Sequence, residues 1–238
     1  MTVLLYLEDA YLAACDATVT GFTPEGAALL DRTVFYPAGG GQPGDAGVLE
    51  HEGGICAVAV AVKAEGGVAH VLADGAAPPP PGARVTARID GALRAAHRRC
   101  HTALHLLSVA IPAPVTGGQI AAGKGRLDFD LAEPPADPAA IEAALNAMIA
   151  ADHPVADAWI DEAELDANPG LVKTMKVKPP RGQGRVRLVR IGDAAAPVDL
   201  QPCGGTHVRS TAEIGPVSLG RIEKKGRQNR RVTLLLAP

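Results

Sequence analysis

The chain has 238 residues, 47% hydrophobic and 3% aromatic, with a formal net charge of −3. That length allows one large or two small globular domains, with cores built from Ala, Val, Leu and Ile rather than from rings. No uncharged apolar run reaches the roughly 18 residues of a spanning helix, and the start turns acidic at Glu8-Asp9 before a signal-peptide core can form; a cytoplasmic protein is expected. The four cysteines, Cys15, Cys56, Cys100 and Cys203, form no CxxC pair and no secreted framework, which fits a reducing compartment. Charge is split along the chain: residues 1–90 carry 4 Lys+Arg against 11 Asp+Glu, and residues 91–238 carry 19 against 15. A polyanionic partner would therefore meet the second half.

In chain order, residues 3–8, 17–22 and 26–36 read as short strands. Residues 37–47 follow, with five glycines and two prolines in eleven positions, a composition that excludes helix and inner strand. This stretch is expected to be a loop with exposed backbone N–H groups, and Gly39, Gly40, Gly41 and Gln42 are its candidate substrate-binding residues. A plain turn between strands would explain the same composition. Residues 48–49, 55–62 and 68–72 are further strands, and residues 84–88 supply a last one after the proline run at 78–81. Evenly spaced short strands predict a small β-barrel over residues 1–90.

Residues 88–111 read as one helix, followed by residues 91–238 as a second, α+β domain. Pro112 and Pro114 end the helix. Residues 115–120 and 125–131 form a predicted hairpin whose connection, Gly118 to Lys124, matches a nucleotide-binding loop until Gly125 replaces the required hydroxyl. ATP binding is not expected there. A helix over 137–151 has Asp137 as its N-cap and Pro138 at its first position. A strand over 155–160 and a short helix over 161–167 precede the basic run 173–190, whose second part alternates Arg with Val or Leu and predicts a strand with one basic and one buried face. Lys176 and Arg181 in this run are candidate substrate contacts, since a basic rim suits a phosphate-backed partner. Strands over 215–222 and 231–236 flank a second basic cluster, Lys224, Lys225, Arg227 and Arg230.

The chemistry concentrates at two paired spacings. His101 and His105 are one helical turn apart and share a face. Cys203 and His207 flank a Gly-Gly turn. Together they offer three imidazoles and one thiolate, a ligand set suited to one tetrahedral Zn²⁺. HxxxH by itself is as well explained by two ordinary histidines. Cys100, about 100° round the helix from His101, should be packed rather than nucleophilic. His97 reads as an exposed histidine, and Asp199 or Glu213 as a carboxylate that orients a ligand imidazole.

These residues resemble the AlaX-type alanyl-tRNA editing proteins, which are similar to the editing domain of alanyl-tRNA synthetase. The resemblance rests on His101-Thr-Ala-Leu-His105-Leu-Leu, on Cys203-Gly-Gly-Thr-His207-Val with Thr211-Ala-Glu-Ile-Gly215, and on Phe35-Tyr-Pro-Ala-Gly-Gly-Gly-Gln-Pro-Gly-Asp45. It implies a translation-factor-like barrel, then an α+β editing domain of the threonyl/alanyl-tRNA synthetase type. The implied activity is trans-acting, zinc-dependent deacylation of tRNA(Ala) mischarged principally with serine and secondarily with glycine. Zinc could polarise the ester carbonyl or lower the pKa of a bound water. Thr102, Thr116 and Gln119 are candidate polar partners for a seryl hydroxyl, Thr102 and Gln119 with catalytic roles and Thr116 in substrate binding. A non-catalytic, zinc-stabilised tRNA-binding module and a zinc hydrolase of small esters are the alternatives.

Overall fold

The computed structural model describes residues 1–175 and 184–237 and divides into two compact units, Met1–Ala95 and Ala96–Pro238. Among the described residues no helix is long and apolar enough to cross a membrane.

The first unit contains strands β1 (Val3–Leu4), β2 (Ala14–Phe22), β3 (Ala28–Leu30), β4 (Arg32–Thr33), β5 (Gly47–His51), β6 (Gly54–Ala64), β7 (Gly67–Leu72) and β8 (Arg84–Ile89). Six of them close into a barrel in the order β2-β3-β7-β6-β5-β8. Alternate residues fill its interior, among them Val19, Leu30, Leu49, Cys56, Val58 and Val85, so most of the filling is small or branched as the composition requires. Residues 3–8 are not one strand. After β1 pairs with β4, Leu5–Leu7 form a 3₁₀ turn that lays buried Tyr6 edge-on against Tyr36, with ring centroids 5.4 Å apart. Leu4, Leu5, Tyr6 and Leu7 all pack on the same core, which a strand of period two cannot achieve.

The strand expected over 26–36 also stops early, at Thr33. Beyond it, side chains take the backbone groups: Thr33 Oγ1 accepts from the Phe35 amide, Asp45 from the Tyr36 amide, and Arg94 donates to the Val34 carbonyl. The glycine-rich stretch is a loop as expected, and four of its amides are taken within the protein. Those of Ala38, Gly39, Gln42 and Asp45 donate to the carbonyls of Ala61, Gln42, Gly39 and Tyr36. Gln42 is buried. Gly44 has a packing reason, since a Cβ there would collide with the Ala61 carbonyl.

Helix α1 (Gly91–Ala110) starts three residues later than the spacing predicts. Arg88 and Ile89 remain in β8, paired with Ala14 and Gly47, and the side chain of Asp90 then caps the helix by accepting from the Leu93 amide at 2.9 Å. The division between the units falls one turn into this helix.

In the second unit β9 (Val115–Ala121), β10 (Lys124–Asp130), β14 (Val217–Lys224) and β15 (Asn229–Leu236) form an antiparallel sheet in the order β14-β15-β10-β9. A second sheet is β11 (Val155–Asp161), β12 (Arg185–Gly192) and β13 (Pro197–Pro202) in sequence order, with helices α2 (Pro138–Ala150) and α3 (Glu162–Ala167) completing the unit. Cys100, Ala103, Leu104, Leu107 and Ile111 recur at helical spacing along α1 and join one core with Ile120, Leu127, Phe129, Val232 and Leu234. Gly125, the residue that spoils the nucleotide-loop pattern, lies under the helix: a Cβ on it would reach within 2.6 Å of Cys100 Sγ. Cys100 is packed as expected, and burial pushes its thiol up to about 12.

Two basic features differ from expectation. On β12, Arg187 is only 8% exposed and Val189 is fully buried, so the supposed basic face is an interior one. At the start of β15, Arg230 is also buried, donating to the carbonyls of Gly226 and Asn229. Lys224, Lys225 and Arg227 are exposed.

Candidate metal centre

The face of α1 that carries His97, His101 and His105 turns away from the aliphatic stripe, and all three histidines are buried; His97 is 3% exposed rather than solvated as expected. Across from it β13 ends at Pro202, and the chain makes the Cys203-Gly-Gly-Thr-His207 turn. The ligand atoms of His101, His105, Cys203 and His207 all lie within 4.8 Å of one another. Cys203 Sγ is 3.5 Å from His101 Nε2 and 3.3 Å from His207 Nε2. In a zinc tetrahedron, bond lengths of about 2.3 Å to sulfur and about 2.05 Å to nitrogen give an S···N edge of about 3.5 Å, so these spacings fit that ion.

Hydrogen bonds at Nδ1 set which nitrogen His105 and His207 present. Asp199 Oδ2 accepts from His105 Nδ1 at 2.9 Å, so Nε2 is the nitrogen turned toward the cluster. Thr102 Oγ1 donates its one proton to the Arg98 carbonyl, so at its 3.1 Å contact with His207 Nδ1 it must accept, and His207 keeps its lone pair on Nε2. The same hydroxyl accepts from the Val208 amide. Asp199 is itself held, by Gln201 Nε2 at 2.7 Å and Lys173 Nζ at 2.5 Å. Imidazoles tied at one nitrogen are the arrangement that orients a metal ligand.

The turn is tied from behind by Arg187. Its guanidinium donates to the carbonyls of Cys203 at 2.8 Å and Gly205 at 3.0 Å and to Asp157 Oδ1 at 2.6 Å, while the Cys203 amide bonds the Arg187 carbonyl. Sequence reading had placed Arg187 among surface charges. One signal was available: it is in phase with Val189 and Ile191, and a face holding both is a buried one.

Electrostatics favour anions here. Burial opposes ionisation of Cys203, but His101 and His207 outweigh it and hold the thiol well below its usual value. Burial likewise opposes the Asp199 carboxylate, and hydrogen bonds from His105, Gln201 and Lys173 bring it below the ordinary carboxylate range. Burial would lower His105, yet Asp199 and Cys203 raise it to about 9, whereas His207 is depressed to about 3 by burial and the neighbouring charge of His101. Two negative groups beside three imidazoles make a site that compensates a divalent cation.

Thr102 is fully buried behind His207, with its hydroxyl committed as described. Gln119 is exposed on the opposite face of β9 from Ile120, and its Oε1 accepts from Arg126 at 2.8 and 3.0 Å. Thr116 donates to the Asp128 carbonyl and accepts from Asn229. Gly39, Gly40, Gly41 and Gln42 belong to the first unit. Glu213 closes a capping box with Ser210. Lys176 and Arg181 lie outside the described residues.

Residues 186–233 match the second additional domain of threonyl and alanyl tRNA synthetases, and residues 15–93 match the class II (A) tRNA synthetase family. Over 99% of its length and 99% of the relative's, the chain is 34% identical to the alanyl-tRNA editing protein AlaX-M of Methanosarcina acetivorans. The chain belongs to the AlaX family of alanyl-tRNA editing proteins. A second AlaX-M, from Methanosarcina mazei, is 33% identical over 98% of the chain and 95% of its own length. The alanine–tRNA ligase of Pyrobaculum neutrophilum is 34% identical over 92% of the chain, which spans 25% of that ligase. As an AlaX-family member the protein acts in alanyl-tRNA editing, and its His/Cys cluster lies partly within the stretch shared with the synthetases.

Proposed function

We propose that this AlaX-family protein is a zinc-dependent deacylase that hydrolyses the aminoacyl ester of tRNA(Ala) mischarged with serine, and less readily with glycine. The observation that carries the reading is the convergence of three imidazoles, those of His105 and His207 oriented through Nδ1, and the Cys203 sulfur on a single point. His101, His105, Cys203 and His207 would hold the ion. When bound, zinc supplies a Lewis acid for the ester carbonyl or for a water. The protein's own residues prepare that chemistry. Asp199 keeps the His105 proton on Nδ1, Thr102 does the same for His207, and Arg187 fixes the turn that carries the thiolate. Thr102 acts through His207, so it is a positioning residue and not a group that touches substrate. The expected barrel and editing domain correspond in this reading to a translation-factor-like unit over residues 1–90 and a deacylase unit over 91–238. A polar pocket built for the seryl hydroxyl leaves groups unpaired when alanine enters, which gives the selectivity against correctly charged tRNA.

One observation favours a second reading, a zinc-stabilised tRNA-binding module: four protein ligands fill a tetrahedron, as in structural sites. Deacylation of seryl-, glycyl- and alanyl-tRNA(Ala) by the purified protein separates the two. Serine release with alanine spared, lost in Cys203→Ala while that variant still melts cooperatively, is the expected result. No release of serine by metal-loaded protein would overturn it.

A further inference from the structure

We propose that Trp159 and Arg185 form a stacking platform for an unpaired nucleobase at the 3′ end of the tRNA acceptor, beside the metal centre. The inference rests on the editing function proposed above and adds the substrate's position.

Trp159 is the chain's one tryptophan, and it is 43% exposed, whereas Phe35, Phe129, Tyr6 and Tyr36 are buried and Tyr11 and Phe22 partly so. It lies mid-strand in β11, and the Arg185 guanidinium carbon is 6.0 Å from its ring centroid. An exposed ring with a guanidinium beside it offers the two surfaces, aromatic and Arg plane, on which unpaired bases stack.

Register places the pair. Trp159 is directly opposite Arg187, and Arg187 in turn bonds the amide and the carbonyl of Cys203. Residues directly opposite one another project from the same sheet face, and strands are about 4.8 Å apart, so Trp159 and Cys203 stand about 10 Å apart in one row across the sheet. The same face carries Asp157, Val189, Asp199 and Gln201. At one end of it Val155 and Ile191 enter the core; at the other Trp159, Arg185 and Asp161 are exposed, with Cys203 in the row of Trp159. Asp161 is directly across from Arg185, and Asp157 is engaged by Arg187, so the cation over the ring is balanced without covering the ring.

An ester on a terminal ribose that reaches Cys203 and its neighbours brings its own base and the preceding ones within about one nucleotide length. Unpaired RNA bases are commonly read by stacking on aromatic side chains and Arg planes. The platform is at the distance and on the face where such a base must lie.

The single Trp supplies the test. Deacylated single-stranded RNA ending in C-C-A should quench its fluorescence saturably, while a strand of equal length and charge with abasic sugars at those positions should not. Trp159→Ala should raise KM for seryl-tRNA(Ala) roughly tenfold with kcat kept, a loss of uniform binding, and Trp159→Phe should recover much of it. Equal quenching by both strands, or a KM for Trp159→Ala within about twofold of the parent, would overturn the platform while leaving editing intact. Failure of the parent protein to deacylate any charged tRNA would instead remove the editing reading, and the quenching contrast alone would then decide whether the platform exists.

Discussion

Each unit buries a cluster of ionisable groups, and the two clusters are finished differently. In the first, Arg94 is 1% exposed and its guanidinium is consumed by Asp45 and by the carbonyls of Val34 and Ala10. His70 there uses both ring nitrogens, donating from Nδ1 to the Ala28 carbonyl at 3.0 Å and accepting from Thr33 at Nε2 at 2.8 Å. Every polar arm ends on a protein partner. In the second unit the partners are spent on the rear of the cluster, at Nδ1 of His105 and His207 and on the backbone of Cys203, and the remaining donor atoms face one another. Burial of charge therefore does not mark a functional site by itself; the direction in which the satisfied atoms point does.

That contrast can be broken from either side. Asp45→Asn leaves Arg94 buried without its counter-charge and should destabilise the protein by about 3–5 kcal/mol in urea unfolding, with metal content of the folded fraction unchanged. A loss of bound metal without a loss of stability would mean the clusters had been misassigned.

His70 gives the next effect. Burial depresses its pKa to about 4, against a smaller upward pull from the Ala28 carbonyl. A depressed histidine stabilises the fold fully above its unfolded value near 6.5, and that contribution fades as pH falls through the folded value. Stability should drop by up to about 3 kcal/mol between pH 6.5 and 4, and a His70→Gln variant should show a flatter profile in the same window.

The smallest effect belongs to Asp199→Asn. Its shape is kept and its charge is lost, so metal affinity of the folded protein should weaken about 10–100-fold in a competition titration, and the metal-free protein should also melt lower because His105 and Lys173 lose their buried counter-charge. Unchanged affinity would show that Asp199 is an ordinary buried acid.

The two halves of the His/Cys cluster were legible in the sequence because their spacing is local: one helical turn, and one glycine turn. The barrel was legible from strands separated by glycine pairs. What escaped depended on which side of an element faces inward. Arg187 and Arg230 are basic and were read as surface, but the core is closed around their stems and their heads find carbonyls. Thr102 follows a ligand histidine and suggested catalysis; helical phase instead sends its hydroxyl to the Arg98 carbonyl and behind His207. Gln119 and Thr116 sit on a strand in the expected unit, yet a strand has two faces, and Ile120 takes the inner one. The glycine-rich loop looked open because glycine permits exposure, but its own Asp45, held by Arg94 and by the Tyr36 amide, anchors its end.

Arg187 has one more implication. A single side chain clamps two carbonyls of the ligand turn while its main chain holds the amide, so the loop's freedom is surrendered when the sheet forms and not when a cation arrives. Uptake and release of the ion should then resemble a key entering a cut lock: reversible by chelator and resupply, at a pace set by access past the half-buried thiolate, without the chain passing through an unfolded state.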